Sequence, residues 1–230
     1  MILPTYNEAE NLEQIVGAVL EQLPASGRVL VVDDNSPDGT GRIADRLADS
    51  SDSIEVLHRE RKEGLGPAYL AGFHIALDRG AERIIEMDAD FSHDPAFLPE
   101  LIEATEHADL AIGSRYVPGG GVTDWGPMRR FISRGGSAYA RIALGLPIRD
   151  LTGGFKCFRR PVLEAINLDT IEARGYAFQV ETTYRALRAG FRVVEVPIVF
   201  RDRRQGNSKM TKAIIGEAMW RVPAMRFRRW

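Results

Sequence analysis

The sequence predicts an α/β protein in which a mainly parallel, twisted sheet carries helices on both faces, in a Rossmann-like arrangement. Short apolar runs alternate with stretches of helical periodicity over about the first 115 residues, which is the order of strands and helices in a parallel sheet. The run 28–35, RVLVVDDN, is apolar almost throughout, as a strand buried on both faces requires. With 230 residues, 44% of them hydrophobic, the chain is long enough for one large domain.

The predicted elements follow one another in a regular order. The strands are expected at residues 1–4, 28–35, 53–58, 82–90, 109–116, 154–160 and 191–200. The helices are expected after Asn7 as N-cap, through Ile43 and Leu47, from Pro67 at the first helical position to about residue 79, and at 94–108, 128–144 and about 178–188.

The rhythm changes after residue 116, where a glycine-rich loop, 117–127, interrupts the alternation. We therefore predict one domain over residues 1–212, with a nucleotide-binding half at 1–115 and a second half built onto the same sheet at 116–212. Residues 213–230 are predicted to form a basic amphipathic C-terminal tail.

Charge and composition exclude several classes of protein. A net charge of −2 does not fit a chain that binds nucleic acid through its overall charge. Residues 201–230 hold nine Lys and Arg against two acids, a local charge of +7 that points to a phosphate or a membrane surface. The single cysteine, Cys157, is expected to be a buried thiol. No apolar run approaches the ~20 residues that span a bilayer and no signal peptide is seen, so a cytoplasmic location is expected.

Acidic residues follow three of the predicted strands. Glu8 comes after the first strand, Asp33 and Asp34 after the second, and Asp88 and Asp90 after the fourth. Ligands of open α/β sheets bind beyond the carboxyl ends of the strands, where these side chains should meet. A divalent cation would make them tolerable together, and Asp88-Ala89-Asp90 suits Mg²⁺, which uses one or two carboxylates and completes its shell with water and phosphate oxygens. The alternative for such a pair is strand-end solvation and capping of the next helix. His93 is either a further polar contact or an ordinary turn residue.

Two common nucleotide motifs are missing from the sequence. No G-x-x-x-x-G-K-[ST] loop is present, and no G-x-G-x-x-G follows the first strand. Kinase-like and dehydrogenase-like functions therefore lose most of their support.

Basic residues in the second half could hold phosphate groups. Arg115 ends the fifth strand, three arginines lie near the start of the next helix, and Lys209 leaves the turn GNSK at 206–209. The arginine fork matches phosphate oxygens in two parallel hydrogen bonds. For any single arginine, a solvated surface position is the alternative.

Taken in order, the motifs resemble those of the polyprenol-phosphate (dolichol-phosphate) mannosyltransferases, which are family 2 glycosyltransferases of the GT-A fold. The resemblance spans roughly residues 2–212 and is carried by LPTYNEAENL, VVDDNSPDGTG, GLGPAYLAGF, MDADFSHDP, AIGSRYVPGGG, ISRGGSAYAR, DLTGGFKCFRR, GYAFQVE and VPIVFRDRRQGNSKM. It implies GDP-mannose as donor, a polyprenyl phosphate as acceptor and Mg²⁺ or Mn²⁺ as cofactor. It also implies that residues 1–212 form a catalytic domain, with the nucleotide-sugar half at 1–115 and the acceptor half with a closing loop at 116–212.

The resemblance also assigns roles to individual residues. It implies nucleoside contacts at Pro4, Tyr6, Glu8, Val32 and Asp34, with a diphosphate and metal site at Asp88, Ala89 and Asp90. It implies phosphate handling by Arg115, Arg129 and Ser133, and a closing loop that brings Arg203 and Lys209 to the acceptor. Catalytic roles fall to Asp88, Asp90, Arg115, Arg203 and Lys209. Some relatives carry Gln where this chain has Ser92, so the third metal ligand is left open.

The chemistry of such a transfer agrees with the absence of an evident general base in the sequence. A phosphate nucleophile is already ionised at pH 7, so no strong general base is needed, and none is evident. A single displacement inverts the α-linked donor to a β-linked product. The tail WRVPAMRFRRW at 220–230 interleaves aromatic and basic residues, which favours peripheral contact with an anionic membrane on its cytoplasmic face. The alternative is a packing helix whose arginines pair with the acidic body.

Other functions remain open from the sequence. A related transferase could use UDP-glucose or another nucleotide sugar with the same lipid. A non-catalytic module could bind a nucleotide sugar or a lipid phosphate, although it would not need both the acidic pair and the basic residues. Nucleic-acid binding through the tail has weak support, because the rest of the chain is acidic. The sequence leaves open whether a membrane-embedded protein partner recruits the chain.

Overall fold

The computed structural model describes residues 1–173, 175–201 and 212–228. The strands are β1 Ile2–Thr5, β2 Val29–Asp33, β3 Ile54–His58, β4 Arg83–Glu86, β5 Leu110–Ser114, β6 Gly121–Val122, β7 Lys156–Arg159, β8 Val193–Pro197 and β9 Val199–Phe200. The α-helices are α1 Leu12–Gln22, α2 Thr40–Ser50, α3 Leu65–Asp78, α4 Leu98–Ala104, α5 Pro127–Leu144, α6 Arg160–Ala165, α7 Tyr176–Arg188 and α8 Lys212–Met225.

Seven strands form one sheet in the order β3-β2-β1-β4-β7-β5-β8. Only β7, among the strands described, runs antiparallel to its neighbours β4 and β5, and the other pairs in the sheet are parallel. Strands β6 and β9 form a separate two-stranded parallel sheet. The predicted α/β class with a mainly parallel sheet is confirmed.

Two apolar cores cover the two faces of the sheet, because successive side chains of a strand point to opposite sides. Leu30 and Val32 of β2 lie in the core beneath α3, α6 and α7, whereas Val29 and Val31 lie in the core beneath α1 and α4. All five residues of β2 are buried, which explains the uninterrupted apolar run in the sequence.

Three predicted helix starts are wrong. The helix expected at 94–108 is α4, which begins at Leu98 after a 3-10 turn at Pro95–Phe97. Asn7 adopts a left-handed conformation with φ of 59°, and α1 begins only at Leu12, after a turn in which Glu8 O accepts from the backbone N–H of Leu12. Helix α3 begins at Leu65 instead of Pro67. Proline is tolerated there because the first turn of a helix needs no intrahelical N–H donor.

The predicted C-terminal tail is largely helical in its described part. Helix α8 packs on α5 and α7, with Val222 and Met225 buried, and Tyr139 Oη donates to Met219 O at 2.8 Å. Within the described ranges, no helix is both long enough and apolar enough to cross a membrane.

Candidate active site

The carboxyl ends of β2, β1 and β4 lie side by side at one edge of the sheet. These strands are neighbours and parallel, so the acids that follow them come to the same edge, as the sequence predicts. The acids differ in their partners, however. No three His, Cys, Asp or Glu side chains among the described residues form a group that could hold a metal ion.

Three of the five acids form hydrogen bonds or an ion pair with other side chains. Asp33 accepts hydrogen bonds from Ser36 Oγ at 2.6 Å and Thr5 Oγ1 at 3.1 Å. Glu8 accepts from Asn11 Nδ2 at 3.0 Å, and Asp34 accepts from Arg59 Nη1 at 2.5 Å. The expectation that one cation balances all five acids is therefore wrong, because an arginine and polar groups already satisfy three of them.

Asp88 and Asp90 remain as the candidate metal pair. Asp90 is buried and accepts from Ser92 Oγ at 2.5 Å and from the Ser92 backbone N–H at 3.0 Å. Asp88 is half-buried, with Tyr69 Oη 3.4 Å from its Oδ1. Two adjacent carboxylates fit a magnesium-type ion that takes its other ligands from water and phosphate. Ser92 fixes the Asp90 carboxylate through its hydroxyl.

The predicted nucleoside contacts lie together at the ends of β1 and β2. Pro4 pairs with Val32 in the sheet, and the Asp34 backbone N–H donates to Thr5 O at 3.0 Å. The Val32 side chain is wholly buried, and Ala89 is buried on the opposite side of the sheet, so only the backbone of either residue can face a ligand. The centroid of the Tyr6 ring lies 3.8 Å from Lys62 Nζ.

An arginine that sequence reasoning missed sits beside Asp34. Arg59 follows β3 as Asp34 follows β2, and its Nη2 also donates to Glu63 Oε2 at 2.6 Å. Burial raises the pKa of Asp34 above its usual value, and the Arg59 guanidinium offsets part of that rise. The only sign of Arg59 in the sequence was the charged stretch RERKEG, which does not indicate that Asp34 is its partner.

Arg115 is held by a second missed residue, Asp150. Its Nε and Nη2 donate to the two Asp150 carboxylate oxygens at 2.7 Å each, and Nη2 also donates to Thr152 Oγ1 at 2.9 Å. Burial alone would raise the pKa of Asp150, but Arg115 holds it below its usual value. Arg115 is thus a fixed cation at the end of β5.

A cavity of about 470 Å³ opens between α5, α7 and α8 beside Asp88. Its charged and polar lining residues include Asp88, His93, Arg115, Arg129 and Ser133. Its apolar lining residues include Ile132, Tyr139, Ala140, Val180, Met219 and Val222. The cavity thus brings charged side chains from the sheet edge and apolar side chains from the helices into one space.

Aromatic residues contact the polar residues that line this cavity. The Arg129 guanidinium carbon lies 4.3 Å from the Trp125 ring centroid, and Tyr116 Oη donates to Ser133 Oγ at 2.7 Å. His93 is buried, with its ring centroid 5.3 Å from that of Phe155 and 5.0 Å from that of Phe200. Arg203 and Lys209, the predicted closing-loop residues, lie outside the described residues.

A buried ion pair includes Glu86, the last residue of β4, which lies two residues before Asp88. Glu86 and Lys156 have fully buried side chains, with Nζ 3.4 Å from Glu86 Oε1. Lys156 Nζ also donates to Gln179 Oε1 at 2.6 Å and Thr182 Oγ1 at 3.2 Å. Burial raises the pKa of Glu86 to about 7, and Lys156 limits that rise. The pair ties β4 to β7 and α7 immediately behind the candidate metal pair.

Large exposed hydrophobic side chains lie on, or just after, the helices that line the cavity, and three of them, Ile132, Tyr176 and Met219, line it. Among the described residues they are Met128, Phe131, Ile132, Ile142, Tyr176, Met219, Trp220 and Phe227, all on α5, α7 and α8 or just beyond α8. Arg221 and Arg228 reach Glu172 at 3.3 and 3.4 Å. The C-terminal helix therefore both packs on the body and leaves aromatic rings exposed.

A family model described as "Glycosyl transferase family 2" matches residues 1–166. The chain belongs to this family. It is 52% identical over 221 residues to a protein from Micrococcus luteus named undecaprenyl-phosphate mannosyltransferase, covering 96% of this chain and 90% of the relative. It is 51% identical over 224 residues to polyprenol monophosphomannose synthase from Mycolicibacterium smegmatis, covering 96% and 84% of the two chains.

Solved structures of a more distant protein share the fold. Glucosyl-3-phosphoglycerate synthase from Mycobacterium tuberculosis in complex with UDP matches with a TM-score of 0.69 at 18% identity, covering 100% of this chain and 80% of that one. The same protein with Mn²⁺ and UDP-glucose matches with a TM-score of 0.68 at 19% identity, covering 97% and 76%. These matches confirm the predicted GT-A-like fold.

Proposed function

We propose that this glycosyltransferase moves mannose from GDP-mannose to a polyprenyl phosphate, releasing GDP and forming a β-linked polyprenyl-phosphate-mannose. The observation that carries the proposal is the cavity lined both by Asp88 and Arg115 and by apolar side chains of α5, α7 and α8. A lipid phosphate likewise combines a charged head with an apolar chain. The names of the two relatives at 51–52% identity support the same acceptor and sugar.

The donor is proposed to lie along the edge formed by β2, β1 and β4. Its nucleoside would lie against Tyr6, Glu8 and Asp34, and its diphosphate would approach Asp88 and Asp90. Mg²⁺ or Mn²⁺, held by these two carboxylates, would supply a Lewis acid for the leaving diphosphate. The hydrogen bonds from Ser92 keep the Asp90 carboxylate oriented.

The acceptor is proposed to enter the cavity from the side away from the donor, between the helices. Arg115, Arg129 and Ser133 face the space where the lipid phosphate would lie, and Ile132, Val180 and Val222 would contact its first isoprene units. Since Asp150 fixes the Arg115 fork, this cation needs no reorganisation when negative charge develops. Arg203 and Lys209 are proposed to close over the acceptor phosphate.

The reaction needs few proton transfers. The acceptor phosphate is ionised at neutral pH, so its oxygen can attack the sugar carbon directly while the bond to the donor diphosphate breaks. The task of the chain is to align the two phosphates and to stabilise the charge on the leaving group. One displacement on the α-linked donor gives the β-linked product.

Peripheral membrane association is proposed for the face that carries the cavity. Phe131 on α5 and Trp220 on α8 are 76% and 80% exposed, and each has an arginine next to it in the sequence, Arg130 and Arg221. Aromatic and basic side chains together favour the interface of an anionic bilayer. Such a position would let a membrane lipid reach the cavity without leaving the bilayer.

Nucleotide competition tests the proposed donor against its nearest alternative. With Mg²⁺ present, GDP should inhibit transfer to polyprenyl phosphate far more strongly than UDP. Stronger inhibition by UDP would favour UDP-glucose or another uridine sugar. Binding of GDP-mannose and lipid phosphate without any transfer would indicate a non-catalytic module.

A further inference from the structure

A second, smaller pocket lies beside α5. Its volume is about 260 Å³, and it shares no lining residue with the large cavity. The lining residues are Tyr116, Arg134, Ala138, Arg141 and Arg149. Arg134, Ala138 and Arg141 are four and three residues apart, so they lie on one face of the helix. Arg149 comes from the segment between α5 and β7. Three arginine side chains therefore line one small space.

The positive charge of this pocket is not balanced by neighbouring acids. Of the side chains that the structure describes, no Asp or Glu forms an ion pair or a hydrogen bond with these three guanidinium groups. Elsewhere on the surface, Arg61 pairs with Glu63 and Arg159 pairs with Asp109. The three cations of the pocket repel one another, and a bound anion would offset that repulsion.

The backbone of Arg149 is fixed at this pocket by Glu195. The Glu195 carboxylate accepts from the backbone N–H groups of Arg149 and Asp150 at 2.8 and 2.9 Å. It also accepts from Ser114 Oγ at 2.7 Å. This carboxylate therefore holds the chain in place, while the Arg149 side chain stays exposed at the pocket.

The pocket is separate from the proposed acceptor site, although Tyr116 contacts residues of both. The Arg134 guanidinium carbon lies 5.7 Å from the Tyr116 ring centroid, and Tyr116 Oη donates to Ser133 Oγ at 2.7 Å. Ser133 lines the large cavity, whereas Arg134 lines the small pocket. Two successive residues of α5 thus serve two different spaces.

Exposed apolar side chains continue from the pocket along α5. Ala138 lines the pocket, Phe131 lies seven residues before it and Ile142 four residues after it, so the three share one face of the helix. Phe131 is 76% exposed and Ile142 is 74% exposed. A ligand with a phosphate on the arginines and an apolar chain along this face would contact both features.

We propose that Arg134, Arg141 and Arg149 form a second phosphate-binding site, suited to the headgroup of an anionic membrane phospholipid that is not a substrate. Each arginine fork matches two phosphate oxygens, and a phosphate monoester carries a charge of about −1.5 to −2 at neutral pH. The pocket is close to the lower end of small-ligand sites, about 300 Å³, so it fits one headgroup. The inference goes beyond the proposed function and does not depend on it.

Short-chain phosphatidic acid, used as a monomeric lipid below its micelle concentration, is the probe for this site. It is titrated calorimetrically into the full chain, with EDTA in place of Mg²⁺. We expect R134Q/R141Q/R149Q to weaken binding by about tenfold or more, since charge-assisted hydrogen bonds to the phosphate are lost. R42Q/R46Q/R188Q is the matched control, because it removes the same charge from exposed arginines on α2 and α7. The control should bind like the unaltered protein.

A second variant tests the site without removing any arginine. A138E places a carboxylate among the three guanidinium groups at an exposed helix position, and glutamate favours a helix. We expect A138E to weaken binding of phosphatidic acid as the triple variant does, with an unchanged Tm. Unchanged binding in folded A138E protein would overturn the inference.

Glycerol 3-phosphate separates a lipid from a free phosphate compound, because it carries the same phosphate group without the acyl chains. Weaker binding than phosphatidic acid supports a lipid as the occupant. Equal binding, lost in R134Q/R141Q/R149Q, supports a free phosphate ester at the same site.

R129Q, which alters a proposed acceptor residue, separates this site from the large cavity. R129Q should bind phosphatidic acid like the unaltered protein. Binding that falls in R129Q and persists in R134Q/R141Q/R149Q would overturn the inference, as would an equal loss in the matched control. Failure of both probes to bind the unaltered protein would overturn it too, and would leave the proposed mannosyl transfer untouched.

Discussion

Arg115 and Asp150 form a buried two-point ion pair that fixes a guanidinium at the wall of the cavity. The pair joins the end of β5 to the segment before β7, and Asp150 also accepts from the Arg115 backbone N–H at 2.9 Å. A free arginine side chain would lose conformational entropy on binding a phosphate, whereas this one is already ordered. The geometry makes Asp150 a positioning residue for Arg115.

Replacing Asp150 with asparagine should release this guanidinium. We expect D150N to lower kcat for mannosyl transfer by about a hundredfold, because the phosphate-facing cation is misplaced. The affinity for GDP, measured by calorimetry, should change little. Breaking a buried pair should also lower the free energy of unfolding by about 3 to 5 kcal/mol, measured in urea.

T152A is the matched control for D150N, since it removes one 2.9 Å hydrogen bond to Arg115 and keeps the ion pair. Its kcat should fall much less. A D150N protein that is folded and fully active would show that the orientation of Arg115 does not matter for transfer.

Removing the Ser92 hydroxyl should weaken the hold on the metal ion. In S92A, Asp90 keeps the backbone hydrogen bond at 3.0 Å and loses the one from Oγ. We expect the Mg²⁺ concentration for half-maximal activity to rise about tenfold, consistent with the loss of a group that orients a metal ligand. At saturating Mg²⁺ most of the activity should return.

D90A and S50A serve as the inactive and the neutral control for this prediction. D90A should abolish transfer at any metal concentration, whereas S50A, which alters an exposed serine on α2, should leave the metal dependence unchanged. Unchanged metal dependence in S92A would remove Ser92 from the site.

The buried Glu86 should make stability depend on pH. Its pKa is raised from 4.5 to about 7 by burial, so between these values the folded protein binds more protons than the unfolded chain. The stabilisation is complete below about pH 4.5 and is lost as the pH rises through about 7. We expect the Tm to fall over this range.

E86Q removes the titrating group and keeps a polar side chain beside Lys156, so it should flatten this part of the Tm profile. E82Q, which alters an exposed glutamate near the start of the same strand, should keep the slope. A profile of E86Q that parallels the original would show that other groups set the pH dependence.

Exposed aromatic side chains should account for membrane binding. We expect the double variant F131S/W220S to bind anionic and neutral vesicles more weakly, because both rings are exposed on helices that line the cavity. Sedimentation with vesicles measures the binding. Activity on a short, water-soluble prenyl phosphate should be retained. Unchanged sedimentation would mean that these side chains do not contact the bilayer.

The strands and the sheet edge could be predicted because they depend on local patterns. The apolar run at 28–35 and the acids after three strands are visible without any knowledge of contacts. The pairings Arg59–Asp34 and Arg115–Asp150 could not be seen, since they join residues 25 and 35 positions apart through the register of the sheet and the path of a loop. The buried Lys156 was missed for a similar reason, because its partners lie on β4 and α7.

Local sequence patterns also failed to predict the start of the first helix. Asn7 is a residue type that favours the N-cap position, yet its backbone N–H donates a hydrogen bond to Ser36 Oγ at 3.1 Å. That contact comes from the loop after β2 and holds Asn7 outside the helix. Tertiary contacts therefore overrode a local capping preference.

A single assay tests the transfer of mannose from GDP-mannose to a lipid phosphate by this protein. Purified protein is incubated with GDP-mannose labelled in the sugar, a polyprenyl phosphate and Mg²⁺, and the organic phase is extracted. We predict that the label enters a lipid from which mild acid releases mannose, and that D90A protein leaves the label in the aqueous phase. Label that stays aqueous with the unaltered protein, while UDP-glucose yields a labelled lipid, would contradict the proposed transfer.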